Sequence, residues 1–589
     1  MHSFWRIASR PVYMSVVDKA GDAYASFAAS GRALFLFFSG LLIISSGALL
    51  FMLNGSLLVP TPAAGGVFTE GILGSPRFIN PVLAVSDADR DLTALVYSGL
   101  LKSTPQGEYV PSLASGYELS EDGKVYTFFL RSNATFHDGI RVTAQDVAFT
   151  VSKIQDPSVK SPLRANWEGV TVEAQDEQTV RFTLSQPYAP FIKNATLGIL
   201  PKHLWEHVSA EELPFSELNT SPIGSGLFKV AEVSRTTSGI PSSYELRPFA
   251  DYALGTPYLS RVNLHFYQNE EALITALASG EVEAVSGVSP SLLPALPNNH
   301  TERSSLNRVF GIFFNQNESV VLRDQDVRVA LEMALDREAL VANILGGYGT
   351  PLVGPIPPGV IMRSASAENT VVAKDRPLAA REYLTSRGWE TREDGTLTKT
   401  TGSGDDKTTL ELSFAISTGN VAELQAASEF VKEAWERMGA KVEIQVFDQG
   451  DLSQNVIRPR KYEALLFGEV IGRELDLFAF WDSSQRNDPG LNIALYANAT
   501  ADRILKSLRE TSVEAERATL YAEFEAELQK DVPAVFLYAP DFVYSIPNDI
   551  KGFDLGFVET PSDRFLSISG WHREVDYVWP LFAPKALIN

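Results

Sequence analysis

The 589-residue chain contains no cysteine. That absence excludes Cys-ligated zinc, iron–sulfur clusters and thiol catalysis. It also excludes a lipid-modified N-terminal cysteine as a tether. It assigns no redox compartment, because disulfide-free proteins occur on both sides of membranes. Basic residues are in short supply: 50 Lys and Arg stand against 72 Asp and Glu, for a net charge of −22. Phosphate backbones are gripped by clustered Lys and Arg, so nucleic acid is not expected as a partner. The negative surface keeps an exposed protein soluble, and attraction of cationic solutes is its other use. No G-x-x-x-x-G-K-[ST] cradles a nucleoside triphosphate and no G-x-S-x-G supplies a nucleophile elbow. The seven histidines form no cluster suited to a metal chelate. No catalytic residue, metal site or cofactor is assigned.

Charge is missing altogether from Ala33 to Thr69. Within that stretch Leu34–Leu53 is a 20-residue apolar run, enough at ~1.5 Å per residue to cross a hydrocarbon core ~30 Å thick. Arg6, Arg10, Lys19 and Arg32 precede it and the next charge is Glu70. The positive-inside rule then predicts a cytoplasmic lead over 1–33, a transmembrane anchor over 34–53, and everything beyond 55 outside. A cleavable signal peptide with Thr61 and Ala63 at its cleavage site is the competing reading. Its lead and apolar stretch are long for a signal, and both readings export the rest. Residues 54–66, rich in Gly, Pro and small residues, read as a linker.

At ~100–200 residues per domain the length allows three to five units, with a core large enough to need no disulfide staples. Val125–Thr127–Phe129, Val180–Phe182–Leu184 and Val262–Leu264–Phe266 alternate with the period of half-buried strands. The pattern changes after about 308. Asp326 is the expected N-cap of a helix carrying Val327, Ala330, Leu331, Ala334 and Leu335. Leu410–Leu412–Phe414–Ile416 predicts a strand, the face Leu424, Phe430, Val431, Ala434, Trp435 and Met438 a helix ending at Gly439, and Val442–Ile444–Val446 a second strand. Strand, helix, strand in so short a stretch is a βαβ unit with a parallel pair. Tyr462–Phe467 is a further strand. The polar segment 391–407 predicts a surface hairpin or loop. There is no internal repeat.

His203-Leu204-Trp205-Glu206-His207 matches the H-x-x-E-H zinc-protease pattern. The match is short, lies between Pro201 and Pro214, and has no third ligand nearby, so the start of a surface helix is preferred. Asn133, Asn194, Asn219, Asn299, Asn317 and Asn498 open N-x-[ST] triplets, from which nothing is drawn. Asp531–Asp541 reads as a buried strand. Trp481, Trp571 and Trp579 could line a pocket, but core packing is the commoner place for Trp.

Several segments together resemble one known family. They are Phe78-Ile79-Asn80-Pro81; Val96-Tyr97-Ser98-Gly99-Leu100-Leu101; Phe136-His137-Asp138-Gly139 with Thr143-Ala144-Gln145-Asp146-Val147; and Pro201-Lys202-His203-Leu204. Pro222-Ile223-Gly224-Ser225-Gly226-Leu227-Phe228, Asp326-Val327-Arg328 with Ala334-Leu335-Asp336-Arg337, and Gly346-Gly347-Tyr348-Gly349-Thr350-Pro351 follow in order. The chain resembles the peptide/nickel class of ABC-transporter substrate-binding proteins, solute-binding family 5, over about 67–555. The resemblance implies a two-lobed α/β fold of the periplasmic-binding-protein type (class II, three-domain peptide-binding form). Lobe 1 would be about 67–84, 188–305 and 536–589; an inserted domain 85–187; lobe 2 about 308–535; and two crossing strands would form the hinge. It further implies a peptide or peptide-like solute held between the lobes, an ABC permease with its ATPase subunits as partners, and no enzymatic activity. A binding protein for another solute, a membrane-anchored sensory or scaffold relative and, more remotely, an exported metallohydrolase are the alternatives. The nickel and haem branches fit less well.

The chain also departs from the family. Peptide binders often carry W-x-x-D-x-x-(D/E)-P, whose Asp grips the ligand's amino terminus. The matching stretch here is Phe467-Gly468-Glu469-Val470-Ile471-Gly472-Arg473-Glu474-Leu475-Asp476. Ile471 stands in place of the amine-binding Asp. Glu469, two residues away on the same side of a strand, is the candidate replacement. The expected solute-binding residues are Ser75, Asn315, Phe467, Glu469, Ile471 and Trp481. A solute longer than a dipeptide, or one with an ungripped terminus, would suit these departures.

Overall fold

The computed structural model describes residues 14–582 apart from 290, 291, 294, 295, 297–299, 358–374, 402–406, 473, 474 and 512. The chain forms two units, one of residues 1–63 with 574–589 and the other of residues 64–573.

In the first unit a helix spans Ala29–Leu57. Its apolar span Ala29–Met52 has no side of it buried, as in a helix that meets no protein core. The helix runs past Leu53 into the stretch expected to be a linker. That stretch then forms a strand, Val59–Pro62, paired antiparallel with Val575–Val578. Two prolines among four residues hide such a strand from any periodicity, but Pro is tolerated on a sheet edge.

In the second unit one continuous ladder links two sheets. The strand Ala534–Ile546 belongs to both. Its first half pairs with Arg308–Phe314 and its second half with His300–Ser305 and Ala284–Ser286. On one side the sheet continues through Ala464–Val470, Ser413–Gly419 and Lys441–Phe447. On the other it continues through Val67–Leu73, Arg261–Tyr267, Pro241–Pro248 and Phe228–Arg235. A separate four-stranded antiparallel sheet holds Ala114–Leu119, Val125–Leu130, Thr179–Leu184 and Val170–Ala174. Its apolar face and that of the Val67–Leu73 sheet share one core, which includes Phe68, Phe128, Phe182, Leu264 and Trp571. The other half has separate clusters on its two sheet faces, one around Trp435 and one around Trp481.

The predicted βαβ unit is present. Ser413–Gly419 and Lys441–Phe447 are parallel and the helix Ala422–Met438 joins them. Gly439 closes it at φ 111°, its N–H donating to Trp435 and Glu436 carbonyls. That left-handed geometry favours glycine. The alternating run from Leu410 is two strands. Thr408–Glu411 joins a small sheet with Leu397–Thr401, and Ser413–Gly419 joins the main one. The expected N-cap at Asp326 is corrected: Asp324 caps the helix Gln325–Met333 by accepting from the Asp326 N–H. Asp326, in the first turn, instead meets Tyr383 and Arg387.

The family-like motifs pack on one another. A Cβ on Gly224 or Gly226 would come within 2.1 or 2.4 Å of the Val96 backbone, so both glycines permit close approach of the Val96–Leu101 segment. His137 Nδ1 accepts from the Gly224 N–H and its Nε2 donates to the Gly226 carbonyl. Burial pushes the ring down to about 4 and keeps it neutral.

Candidate functional site between the two sheets

The backbone passes twice between the two halves, near Ser305–Arg308 and near Tyr538–Asp541. Asn307, 2% exposed, fixes the first crossing. Its carbonyl accepts from the Ile471 N–H at 2.8 Å, and its own N–H donates to the Val558 carbonyl at 3.3 Å. The loop that follows Ala464–Val470 is thereby hydrogen-bonded to the crossing itself.

Alternation along Ala464–Val470 puts Leu465, Phe467 and Glu469 on the face of the Trp481 cluster, and Ile471 packs in the same cluster. Glu469 lies opposite Val309, two residues from Asn307. It is 4% exposed, and neither carboxylate oxygen has a hydrogen-bond partner among the described residues. Burial pushes this carboxyl well above the usual range, because desolvation disfavours its charged form. An acid buried without a partner is costly.

The other expected residues are spread out. Ser75 is half-buried in the turn after Val67–Leu73, just past Gly74 at φ 90°. Asn315 is buried beyond the far end of strand Arg308–Phe314. There its amide donates to the Arg460 carbonyl and accepts from the Asn317 N–H. Trp481 has no exposed surface and packs against Phe313, Tyr496, Phe524 and Phe536. The structure therefore gathers Phe467, Glu469 and Ile471 beside the crossing, and gives Asn315 and Trp481 internal partners.

A clasp unforeseen in the sequence joins the two halves at one edge. Tyr188 Oη donates to Asp476 Oδ2 at 3.0 Å. Arg509 grips the same carboxylate through Nε and Nη2, at 2.6–3.1 Å, and its guanidinium lies over the Tyr188 and Phe478 rings. Beside it Lys193 pairs with Glu559, and a Cβ on Gly472 would sit 3.0 Å from Lys193 Nζ. These partners are far apart in sequence, and no local pattern marks them.

The zinc-like pentapeptide is not a converging set. Its helix is only Lys202–Trp205. His203 Nε2 meets Asp138 Oδ2 at 2.7 Å, while the His207 side chain is 87% exposed. Among the described residues no three His, Asp or Glu gather to hold a metal.

Residues 108–488 match the bacterial extracellular solute-binding proteins, family 5 Middle. The chain belongs to this family. Its members bind solutes outside the cytoplasm and are not enzymes. The chain is 28% identical over 502 residues to the oligopeptide-binding protein AppA of Bacillus subtilis, covering 84% of this chain and 89% of that one. The structure of Bacillus subtilis AppA in complex with a nonapeptide is similar, at 26% identity and TM-score 0.66, over 87% of this chain and 99% of that one. NikZ from Campylobacter jejuni, in complex with Ni(L-His), is similar at 26% identity and TM-score 0.65, over 86% of this chain and 99% of that one.

Proposed function

We propose that this family 5 protein captures peptides or peptide-like solutes outside the membrane and delivers them to an ABC permease driven by separate ATPase subunits. The likeness to AppA carries the peptide reading: it spans nearly all of a chain seen holding a nonapeptide. In this reading lobe 1 (about 67–84, 188–305 and 536–589), the inserted domain (85–187) and lobe 2 (about 308–535) form a clamp around the solute. Extended peptide backbone pairs with strand edges, and water-filled pockets accept varied side chains. Closure is favoured because a ligand touching both lobes binds the closed state better.

Ser75, Phe467, Glu469 and Ile471 would face the solute, with Asn315 and Trp481 supporting them from the core. Glu469 would receive the ligand's amino group: its carboxyl lacks a hydrogen-bond partner among the described residues, and a cation beside it would favour its charged form. The N-terminal helix would remain as an anchor with the N-terminus cytoplasmic. The ribbon supports this, because cleavage at Thr61–Ala63 would remove all or most of the strand that Val575–Val578 pairs with.

The test is native mass spectrometry of the purified full chain with a peptide mixture, followed by melting with each peptide found. A bound peptide at a hundredfold excess over its Kd adds ~2.7 kcal/mol to stability. If no peptide is retained and none shifts the melting point, the peptide reading fails. Glu469→Gln should weaken free-amine peptides and spare their N-acetylated forms; equal affinity for both, unchanged by the substitution, removes Glu469 as the anchor.

A further inference from the structure

The ribbon brings the C-terminal segment back to the end of the apolar helix. Val59 lies opposite Val578, Pro60 opposite Tyr577 and Pro62 opposite Val575. Strand Val575–Val578 therefore runs toward the helix end at Leu57, and continuing that register sets Trp579 level with Leu58. The turn Pro580–Phe582 follows. Within this short stretch Tyr577 is 64% exposed, Trp579 46%, Leu581 86% and Phe582 75%. Scattered single apolar residues on a surface need no explanation, but a contiguous group marks an interaction site.

The neighbouring helix indicates the partner. The apolar span ends at Met52, and Leu58 is six residues on, ~9 Å if helical throughout. The headgroup layer on one side of a bilayer is ~5–8 Å deep. Leu58, and Trp579 beside it, thus stand at the outer boundary of that layer, where Trp and Tyr are enriched.

We propose that Tyr577–Phe582 is a second membrane contact, which places Tyr577, Trp579, Leu581 and Phe582 in the outer headgroup region of the lipid bilayer. This rests on the reading that the N-terminal helix is retained.

Because the chain has no cysteine, one introduced thiol labels one place. Leu581→Cys carries an environment-sensitive dye in the full chain, reconstituted without other proteins into phosphatidylcholine vesicles. Half of the preparations include phospholipid with a shallow nitroxide quencher. Thr237→Cys, in the exposed turn between Phe228–Arg235 and Pro241–Pro248, is the control. The expected result is several-fold stronger quenching at 581 than at 237, with a blue-shifted emission. Equal quenching at both positions in an intact chain overturns the membrane contact and leaves the patch to a protein partner or a second copy. The mass of the reconstituted chain separates the two readings: loss of the residues before Ala64 sinks the anchor and the contact together, while an intact mass with no quenching sinks the contact alone.

Discussion

Arg564 has no exposed surface and joins four segments of the chain. Its Nε donates to Glu70 at 2.7 Å, its Nη atoms donate to both oxygens of Asp91 at 2.7–2.8 Å, and Nη1 also donates to the Pro561 carbonyl. Tyr544, on the shared strand, donates to the other oxygen of Glu70. Burial lifts Glu70 up to about 7 although Arg564 pulls it down. Removing one partner of a buried pair costs ~3–5 kcal/mol, because the charge left behind has no compensation. Arg564→Met should lower stability by about that much in urea denaturation, with Glu70→Gln distinctly milder; a loss below 1 kcal/mol would show that solvent reaches the site. None of this network could be read from the sequence, since Glu70 and Arg564 are 494 residues apart. Glu469 was legible as a residue type on a strand face, but its lack of a hydrogen-bond partner among the described residues emerges only when the neighbouring strands and a core cluster surround it.

At the scale of elements, legibility follows how local the signal is. The βαβ unit was readable because its apolar period, its glycine stop and its short span all lie in one window. The helix N-cap was misplaced by two residues because Asp324 and Asp326 are equally good caps by type; the acceptor geometry of Asp324 decides between them. Val59–Pro62 was missed because a four-residue strand needs a partner to be recognised, and that partner is more than 500 residues away. The clasp is another product of tertiary structure. Tyr188→Phe removes the hydroxyl that bonds Asp476 while keeping the ring under Arg509. A hydrogen bond to a charged group is worth ~1.5–3 kcal/mol. If the clasp belongs to the solute-bound arrangement, the variant should release peptide about tenfold faster with little change in association rate. An unchanged release rate in stopped-flow would mean that the clasp is closed with or without solute.

At the scale of the molecule, the family motifs made the fold legible where composition alone allowed only an exported α/β chain. The motifs carry that information because they are contacts: Gly224, Gly226 and His137 bind the Val96 segment and the Phe136–Gly139 turn into one body. What they could not convey is the cargo, because the stretch 467–476, where the family's amine-binding residue is expected, is where this chain departs from the pattern.

The shared strand has a further consequence, for the order in which the protein is made. Ala534–Ile546 is the link between the two sheets, yet it is synthesised after every other strand described in that ladder. Until residue 546 has emerged, Ala284–Ser286 and Arg308–Phe314 each lack a neighbour on one edge. The pairings that complete both halves are thus very non-local, which makes folding slow. A chain that crosses a membrane unfolded would gain from this delay, because neither half can complete its sheet before residue 546 has emerged. A fragment ending at residue 533 should be protease-sensitive throughout, where one ending at residue 573 resists. If the shorter fragment folds cooperatively, the late strand is a seam and not a keystone.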